Sequence, residues 1–434
     1  MKRKILLVVL TLLTVPAALS AQSNYVHQVI VLNEGHYDYI NQVQTVPVTV
    51  GAFNPSSHSY VAFDTIYNAR FASHVLVDGA SIYVAADNQL IRYNADSYQR
   101  IATATVPGIR KLAVWNNQLL VSRGEYLQTY NSYFQVYDKT NLSFLYELPV
   151  ATGPQYASEG IVVTNDIAYL AINNGFDYGN EVGLIGRINL VNQQYINEIN
   201  LGNAGKNPEN IILDNATIYT VNNTNYTTAS ISSIDVATQV VNTIDLMTTT
   251  GCGASSFASG YIVFQVMGDN RLGRFSTSSF SMHDTLMIGR TIYGMAADEL
   301  NNLLYVGETD YSTYGKIFIY SSPGTVIDSF DVSVSPGNIA LDVRTTAGFH
   351  ESVSTKTSLS CYPNPSQEKT RIVINGNTKA GADVFMLTDL SGRILKKIVS
   401  DDSTFMLDMH AFDSGLYILQ STSNPGEEVK IVKQ

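Results

Sequence analysis

The chain has 434 residues, a length typical of two or three domains. Its formal net charge is −11 and its sequence pI is about 5.1, which argues against a nucleic-acid partner because phosphate contacts need clustered lysine and arginine. It contains only two cysteines, Cys252 and Cys361, and they fall in different predicted domains. The chain is therefore not a disulfide scaffold and must be stabilised by packing.

Residues 1–21 have the pattern of a signal peptide. Residues 1–4 are basic, and residues 5–15 form an apolar stretch that is too short to span a bilayer. Small residues follow, and we predict cleavage after Ser20 or Ala21. No cysteine lies there, so a lipoprotein anchor is not expected, and no later segment is long and apolar enough for a transmembrane helix.

Residues 22–345 contain seven copies of a repeat. Each copy has an apolar strand that ends in a large apolar or aromatic residue, followed by Asn, Asp or Ser and a turn. The copies lie 40 to 51 residues apart, at Phe53, Tyr93, Tyr137, Ile188, Ile234, Phe275 and Tyr320. A second short strand, such as residues 82–84, precedes most copies. A period of this length with about four strands is typical of a propeller blade, so we predict an all-β, seven-bladed β-propeller.

The two ends of this region predict how the ring closes. Residues 27–31 match the second strand of a blade, and residues 338–343 match the first strand. The last strand would thus complete the first blade and remove open sheet edges, which otherwise invite aggregation. Residues 346–359 are rich in Ser and Thr and are predicted to be a linker.

The predicted ring resembles the YncE-like or quinoprotein-like seven-bladed propellers. Its first strand continues as Val31-Leu32-Asn33-Glu34-Gly35, which resembles the start of surface propellers of Bacteroidota, among them a cobalamin-capturing type. This resemblance implies that a corrinoid is one class of ligand to consider.

The loops between second and third strands should share one face with the loops that lead into each innermost strand, and all should converge near the central channel. They are rich in Tyr and Asn, which suit a glycan, a corrinoid or a protein partner. The alternative is that Asn, Asp and Gly occur there only because turns need them. The predicted ligand-binding residues are Glu34, His36, Tyr37, Arg70, Arg110, Arg123, Tyr126, Tyr156, Glu159, Tyr178, Tyr226, Tyr293 and Tyr311.

Catalytic signals are weak. No two histidines have a local metal-ligand spacing, no nucleophile or nucleotide motif occurs, and the sequence identifies no metal or cofactor. The alternative function is an enzyme, a lyase or a hydrolase, with Glu34, His36, Arg123 and Glu159 together at the channel mouth. A binding module predicts no close group of acid and base residues with shifted pKa, whereas an enzyme predicts one. A third hypothesis is a structural surface-layer protein with a flat face.

Residues 360–434 have the pattern of a small β domain. Pro363 and Pro365 punctuate an extended start, residues 389–392 form a turn, and residues 416–419 and 429–433 read as strands. An ordinary β-sandwich accessory domain would fit this pattern. The YPNP start, the D-x-x-G-R turn, the G-x-Y strand and the Lys-rich end together resemble the C-terminal (Por) sorting domain of the type IX secretion system of Bacteroidota. This resemblance implies export through that machinery, removal of the tail, and a secreted or cell-surface location.

Overall fold

A computed structural model describes residues 23–250, 254–321, 324–345, 358–375, 383–390, 392–422 and 428–434. The predicted signal peptide and Cys252 lie outside these residues. Two compact units are present, one formed by Ser23–Thr346 and the other containing Ala347–Gln434.

The first unit consists of β-strands apart from one 3-10 turn at Asn203–Gly205, within the residues described. In chain order its strands are β1 (Asn24–Asn33), β2 (His36–Asp38), β3 (Val43–Val46), β4 (Val48–Asn54), β5 (Ser59–Ile66), β6 (His74–Asp78), β7 (Ser81–Ala86), β8 (Gln89–Asn94), β9 (Arg100–Thr105), β10 (Ile109–Trp115), β11 (Gln118–Arg123), β12 (Ser132–Asp138), β13 (Phe144–Pro149), β14 (Ser158–Thr164), β15 (Ile167–Ile172), β16 (Leu184–Asn189), β17 (Gln194–Asn200), β18 (Pro208–Asp214), β19 (Thr217–Asn222), β20 (Ser230–Asp235), β21 (Val241–Asp245), β22 (Ser255–Ala258), β23 (Tyr261–Val266), β24 (Arg271–Ser276), β25 (Ser281–Met287), β26 (Ile292–Asp298), β27 (Leu303–Glu308), β28 (Tyr314–Ser321), β29 (Thr325–Val334) and β30 (Pro336–Thr345).

These strands form seven four-stranded antiparallel blades. Six blades take consecutive strands, from β6–β9 to β26–β29, and the first blade has the order β30-β1-β4-β5. Strand β1 pairs with β30 from Asn24 opposite Thr345 to Asn33 opposite Pro336. The predicted seven-bladed propeller is therefore confirmed, and the last strand completes the first blade. The β2–β3 hairpin is an addition to the loop between β1 and β4.

The core of the ring lies between blades. Among the described residues, seven apolar clusters occur, one at each contact between neighbouring blades. Strand β7 shows why, because its buried side chains alternate between two clusters. Ile82 and Val84 pack toward the first blade, while Tyr83 and Ala85 pack toward the third. A strand that is buried on both faces has a continuous apolar sequence. Because successive side chains point to opposite faces, each one packs against one of the two neighbouring blades.

A buried polar network reinforces the closure. Asp342 is 1% exposed and forms an ion pair with Arg344, whose Nη2 lies 2.7 Å from Oδ2 of Asp342. Gln28 Nε2 donates to the same carboxylate and to the carbonyl of Ala95 in the next blade. Tyr98 donates its hydroxyl proton to Gln28 Oε1 at 2.6 Å. We call Gln28, Tyr98, Asp342 and Arg344 the closure network.

The second unit is a small sandwich of two sheets. Its strands are β31 (Ser358–Tyr362), β32 (Lys369–Asn375), β33 (Asp383–Asp389), β34 (Ile394–Ser400), β35 (Thr404–Asp408), β36 (Gly415–Ser421) and β37 (Glu428–Lys433). The sheets have the orders β31-β32-β35 and β34-β33-β36-β37, and they share one core that includes Ile372, Phe385 and Leu419. Strand β31 begins inside the predicted linker. The predicted turn ends at Gly392, whose φ of 83° favours glycine.

No helix long and apolar enough to cross a membrane occurs in the part of the chain that the structure describes.

Candidate functional site

Two sets of loops meet on one face of the propeller. The loop between the second and third strands of a blade donates a backbone hydrogen bond to the loop that leads into the innermost strand of that blade. This bond recurs around the ring, from Glu34 N to Ser335 O, Gly124 N to Gly108 O, Asn173 N to Ala157 O, Asn223 N to Asn207 O and Thr309 N to Thr291 O. Residues predicted from both sets of loops are thereby held at the same end of the channel.

A cavity of about 430 Å³ occupies the channel at this end. Residues from all seven blades line it, because each innermost strand contributes side chains near its first residues. The polar lining residues are Glu34, Ser73, His74, Arg110, Lys111, Glu159, Asn173, Tyr178, Glu209, Asn210, Tyr226, Ser255, Tyr293 and Asn338.

Irregular pairing of the innermost strands turns these side chains toward the channel. The register with the second strand shifts between Ile109 and Leu112, and at the corresponding place in β14, β18 and β26. Such bulges bend a strand and redirect a side chain. The shifted segments contain Arg110, Glu159, Glu209 and Tyr293, which therefore lie at matching positions of four blades.

Arg110 and Glu159 form an ion pair in the cavity wall. Nε of Arg110 donates to Oε1 of Glu159 at 2.7 Å, and the two side chains are 21% and 6% exposed. The guanidinium also lies 4.9 Å from the centre of the Phe176 ring. Burial disfavours the Arg110 cation, but Glu159, with smaller contributions from Tyr293 and Glu34, raises the pKa of Arg110 above its ordinary value.

Two basic side chains of the cavity have lowered pKa values. Burial lowers the pKa of Lys111, whose ammonium donates to the carbonyl of Ser73 at 2.8 Å. Burial also lowers the pKa of His74 to about 3, and the neighbouring Lys111 contributes to that shift. Nδ1 of His74 accepts a hydrogen bond from the amide of Leu112 at 3.1 Å, so the imidazole is neutral and carries its proton on Nε2.

The pKa values of two carboxyl groups of the cavity are raised. Burial raises the pKa of Glu209 to about 7, with the charge of Glu159 as the second cause. Burial also raises the pKa of Glu34, against a hydrogen bond from Tyr293 and the charges of Arg110 and Lys111. We call Glu34, Arg110, Lys111, Glu159 and Glu209 the channel cluster.

Tyrosines border the cavity. Tyr226 donates its hydroxyl proton to the carbonyl of Gly175 at 2.6 Å, and its ring centre lies 5.5 Å from that of Tyr178. Tyr293 packs against the backbone of Gly337, where an added Cβ would meet the ring at 2.5 Å. Hydroxyl-bearing aromatic faces therefore meet charged groups at the same cavity.

Six of the predicted site residues line the cavity. They are Glu34, Arg110, Glu159, Tyr178, Tyr226 and Tyr293.

Arg70 and Arg123 have other partners. The guanidinium of Arg70 makes two bonds to the buried carboxylate of Asp87 and one to Glu125 at 2.8 Å. Arg123 is buried. Its guanidinium donates to the carbonyls of Pro107 and Ser132, and its Cζ lies 4.2 Å from the centre of the Tyr130 ring. Arg123 therefore holds a loop together, and the proposed acid–base set with Glu34, His36 and Glu159 is not assembled in the cavity.

The other predicted residues lie outside the cavity lining. His36 Nδ1 bonds to the Thr45 hydroxyl across the β2–β3 hairpin at 2.6 Å, and Tyr37 packs edge-on against Tyr39. Tyr126 contacts Tyr178, with 6.0 Å between the ring centres, and Tyr311 contacts Tyr293 at 5.4 Å. Tyr156 is 37% exposed, and its carbonyl accepts a bond from Ser158.

The sequence did not predict three further residues of the cavity, Lys111, His74 and Glu209. Glu209 had a detectable signal, because Ser158-Glu159-Gly160-Ile161 and Pro208-Glu209-Asn210-Ile211 share one register in their blades. Superposing the repeats would have placed both carboxylates in the channel. Lys111 had no such signal, since side chains at a bulge do not follow strand alternation. His74 lies in the regular register of β6, opposite Ala85, and the repeat pattern does not distinguish it.

The described part of the chain holds no group of three or more His, Cys, Asp or Glu side chains arranged for a metal ion.

Comparison with protein families identifies the C-terminal unit. Residues 360–434 match the family described as the secretion system C-terminal sorting domain, which confirms the predicted sorting domain. Such a domain indicates export to the cell exterior or the outer-membrane surface. No curated protein matches the sequence of the chain.

Several solved structures share the propeller fold. Hydrazine synthase of Kuenenia stuttgartiensis is 14% identical with a TM-score of 0.53, and the match covers 64% of this chain and 96% of that one. A hypothetical selenium-binding protein from Sulfolobus tokodaii is 10% identical with a TM-score of 0.55, over 76% of this chain and 94% of that one. The Cps50 (Swd1) β-propeller domain of Myceliophteria thermophila is 12% identical with a TM-score of 0.50, over 63% and 90%. At these identities the likeness shows the fold alone, and the chain is a β-propeller that carries a C-terminal secretion sorting domain.

Proposed function

We propose that this chain is an exported binding protein whose propeller holds a neutral carbohydrate in the channel cavity. The observation that carries the proposal is the cavity of about 430 Å³ at the hub of the blades, lined by carboxyl, amide and tyrosine side chains. Pockets for small ligands have volumes of about 300 to 1,000 Å³ and contain a few polar groups that fix orientation.

The balance of charge in the cavity favours a neutral ligand. Arg110 is already paired with Glu159, and Lys111 lies in the field of Glu159, Glu209 and Glu34. The channel cluster contains two basic and three acidic side chains, and the raised pKa of Glu209, about 7, reduces its excess of negative charge at neutral pH. A charged ligand would find little excess of opposite charge there. Sugar hydroxyls, in contrast, both donate to carboxylates and accept from amides.

The shape of the site favours a glycan over the other ligand classes. The rings of Tyr178 and Tyr226 offer flat apolar faces that suit the C–H face of a sugar. A corrinoid macrocycle or a folded protein would contact only the mouth of a cavity of this volume. A flat structural face, as in a surface-layer protein, would not need a polar cavity.

The sorting domain supports a route of export. We propose that residues 1–21 are removed as a signal peptide, that residues 22–345 and the linker at 346–359 are carried by the sorting domain at 360–434, and that the type IX machinery of a member of the Bacteroidota exports the chain. We further propose that the ring is related to the YncE-like propellers. A chain ending at Thr345 is expected to stay in the periplasm of a type IX-competent cell, and its secretion at normal yield would contradict this route.

Calorimetric titration of the full chain with neutral oligosaccharides, cyanocobalamin and peptides tests the ligand class. We expect a neutral oligosaccharide to bind, and to stabilise the fold by about 2.7 kcal/mol at 100 times its dissociation constant. Asn210→Ala should weaken binding because Asn210 lines the cavity. The matched control Asn192→Ala, in the turn between β16 and β17, should not. Binding of cyanocobalamin alone, or of no sugar, would contradict the proposal.

One observation favours a second function, hydrolysis of a glycosidic bond. Burial raises the pKa of Glu209 to about 7, and the neighbouring Glu159 forms an ion pair with Arg110. A protonated and an ionised carboxyl form the pair that glycoside hydrolases use. A simple binding module was expected to lack such a group of shifted residues. This pair replaces the set with His36 and Arg123 that the sequence predicted.

Product analysis after incubation with the bound oligosaccharide separates the two functions. An enzyme would release shorter sugars, and Glu209→Gln would abolish the release because an amide has no acidic proton to give. Intact oligosaccharide after prolonged incubation with the wild-type chain would exclude hydrolysis and leave the binding function.

A further inference from the structure

Three tyrosine rings lie in a row beside the cavity, one from each of three consecutive blades. The ring centres of Tyr126 and Tyr178 are 6.0 Å apart, and those of Tyr178 and Tyr226 are 5.5 Å apart. We call these three residues the tyrosine row. Tyr178 and Tyr226 line the cavity, whereas Tyr126 lies outside its lining, so the row leads from the cavity across the loop face.

The row is accessible at its outer end. Tyr126 is 51% exposed and Tyr178 is 65% exposed, whereas Tyr226 is only partly exposed. Large aromatic side chains are costly to leave in water, and contiguous exposed apolar surface commonly marks a binding site. Because this surface is continuous with the cavity, one ligand can contact both.

Hydrogen bonds hold the ring of Tyr226 and the loops that carry the other two rings before any ligand binds. The loop that carries Tyr178 is held by Asn174 Nδ2, which donates to Asn180 O at 3.0 Å, and by Glu181, which accepts from Gly179 N at 3.0 Å. Tyr226 is tied to the Tyr178 loop through Gly175. A preformed surface loses little conformational entropy on binding, which increases affinity.

Arg70 helps to hold the loop that carries Tyr126, through a hydrogen bond to Glu125. The amide of Tyr126 donates to Oε1 of Glu125 at 3.0 Å, and Oε2 of Glu125 accepts from Arg70 at 2.8 Å. Arg70 is in turn held by the buried Asp87. Arg70 is therefore a positioning residue for the outer end of the row.

We propose that the tyrosine row extends the channel cavity into a groove for a linear oligosaccharide, one end of which enters the cavity. The rings are inclined to one another by 48° and 69°. Sugar units that stack on successive rings must rotate by similar amounts, so the groove suits a curved, α-linked chain better than a flat β-1,4-linked ribbon. This inference rests on the proposed carbohydrate-binding function and names its ligand class.

The test is titration of the full chain with neutral oligosaccharides of one to six units, in α-linked and β-1,4-linked series of glucose, mannose and galactose. We expect affinity to rise with length in an α-linked series, by about two- to tenfold for each ring contact. In Tyr126→Ala the ratio of hexamer to monomer affinity should fall by a similar factor. Tyr314→Ala is the matched control, because Tyr314 is 76% exposed and outside the row, and it should leave the ratio unchanged.

The remaining outcomes distinguish the inference from the function on which it rests. Sugar binding that does not depend on length, or that Tyr126→Ala leaves unchanged, would overturn the groove while the cavity function stands. Preference for a β-1,4-linked series would overturn the curved chain. Failure of every monomer and oligomer to bind would overturn the proposed function itself, and the groove with it.

Discussion

Two groups of buried charges in the propeller differ in how completely they are satisfied. In the closure network, the two carboxylate oxygens of Asp342 accept bonds from Arg344 and Gln28. In the channel cluster, Glu209 has one long contact, to Asn223 Nδ2 at 3.4 Å, and faces a cavity. Burial raises the pKa of Glu209 to about 7, and its one hydrogen bond does little to oppose that effect.

This difference indicates a structural role for the closure network and a ligand-binding role for the channel cluster. A buried charge with a full set of partners stabilises one geometry and has nothing left to offer a ligand. A buried charge beside open space keeps its capacity for hydrogen bonds, and the fold maintains it at a cost in stability. Four measurements test this contrast.

Removing the carboxylate of the closure network should have the largest effect. Asp342→Ala leaves Gln28 and Arg344 without their buried partner, and we expect the free energy of unfolding to fall by about 3 kcal/mol. The matched control is Asp331→Ala, because Asp331 pairs with Lys316 at 2.7 Å with 85% of its side chain exposed, and should cost about 0.5 kcal/mol. Urea unfolding followed by fluorescence of Trp115, the single tryptophan, reports on the propeller alone. Equal losses would contradict the contrast.

Removing a cation from the channel cluster should cost less. Arg110→Met leaves Glu159 unpaired, but a cavity of about 430 Å³ admits water that can solvate the carboxylate. We expect a loss of about 1 to 2 kcal/mol by the same fluorescence measurement. A loss as large as that of Asp342→Ala would show that the channel is a closed core.

The raised pKa of Glu209 predicts a pH dependence. The folded-state pKa is about 7 and the ordinary value is 4.5, so between these values the folded state holds the extra proton. The contribution of Glu209 to stability must then fall as pH rises from about 4.5 through 7, and change no further above that range. Between pH 6 and pH 7 the wild-type chain should lose about 1 kcal/mol relative to Glu209→Gln, since the variant cannot titrate at this position. The comparison with the variant also cancels the contribution of His74, whose lowered pKa makes stability rise with pH between about 3 and 6.5. An unchanged difference between the two proteins would refute the shift.

Truncating an exposed ring of the cavity rim should change stability least. Tyr178 is 65% exposed, so Tyr178→Ala should alter the free energy of unfolding by less than about 0.5 kcal/mol. Its affinity for the bound oligosaccharide should nevertheless fall by about two- to tenfold. A large loss of stability without a loss of affinity would assign Tyr178 to the framework.

The fold was predictable because its signals repeat. Seven strand-and-turn units, and the match of residues 338–343 to a first strand, define the ring and its closure before any side chain is located. The sorting domain was predictable because its turns and its YPNP start are local in sequence. Both depend on backbone periodicity and turn chemistry, which short segments encode.

The site was only partly predictable, because its side chains are positioned by irregular backbone. Arg123 and Arg110 look alike in sequence, yet Arg123 ends a second strand and binds two carbonyls inside the loop face, while a bulge turns Arg110 into the channel. His36 was expected near Glu34, but the β2–β3 hairpin ties it to Thr45. Neither a bulge nor a hairpin insertion follows from the repeat pattern.

A crystal structure of the full chain with the tightest-binding neutral oligosaccharide would show whether the channel cavity, and not another surface, holds the ligand. We expect sugar density within the cavity, in contact with Glu209 and Tyr226 and continuing over Tyr178. Sugar density confined to the outer edges of the blades or to the C-terminal unit, with the cavity free of sugar, would contradict it.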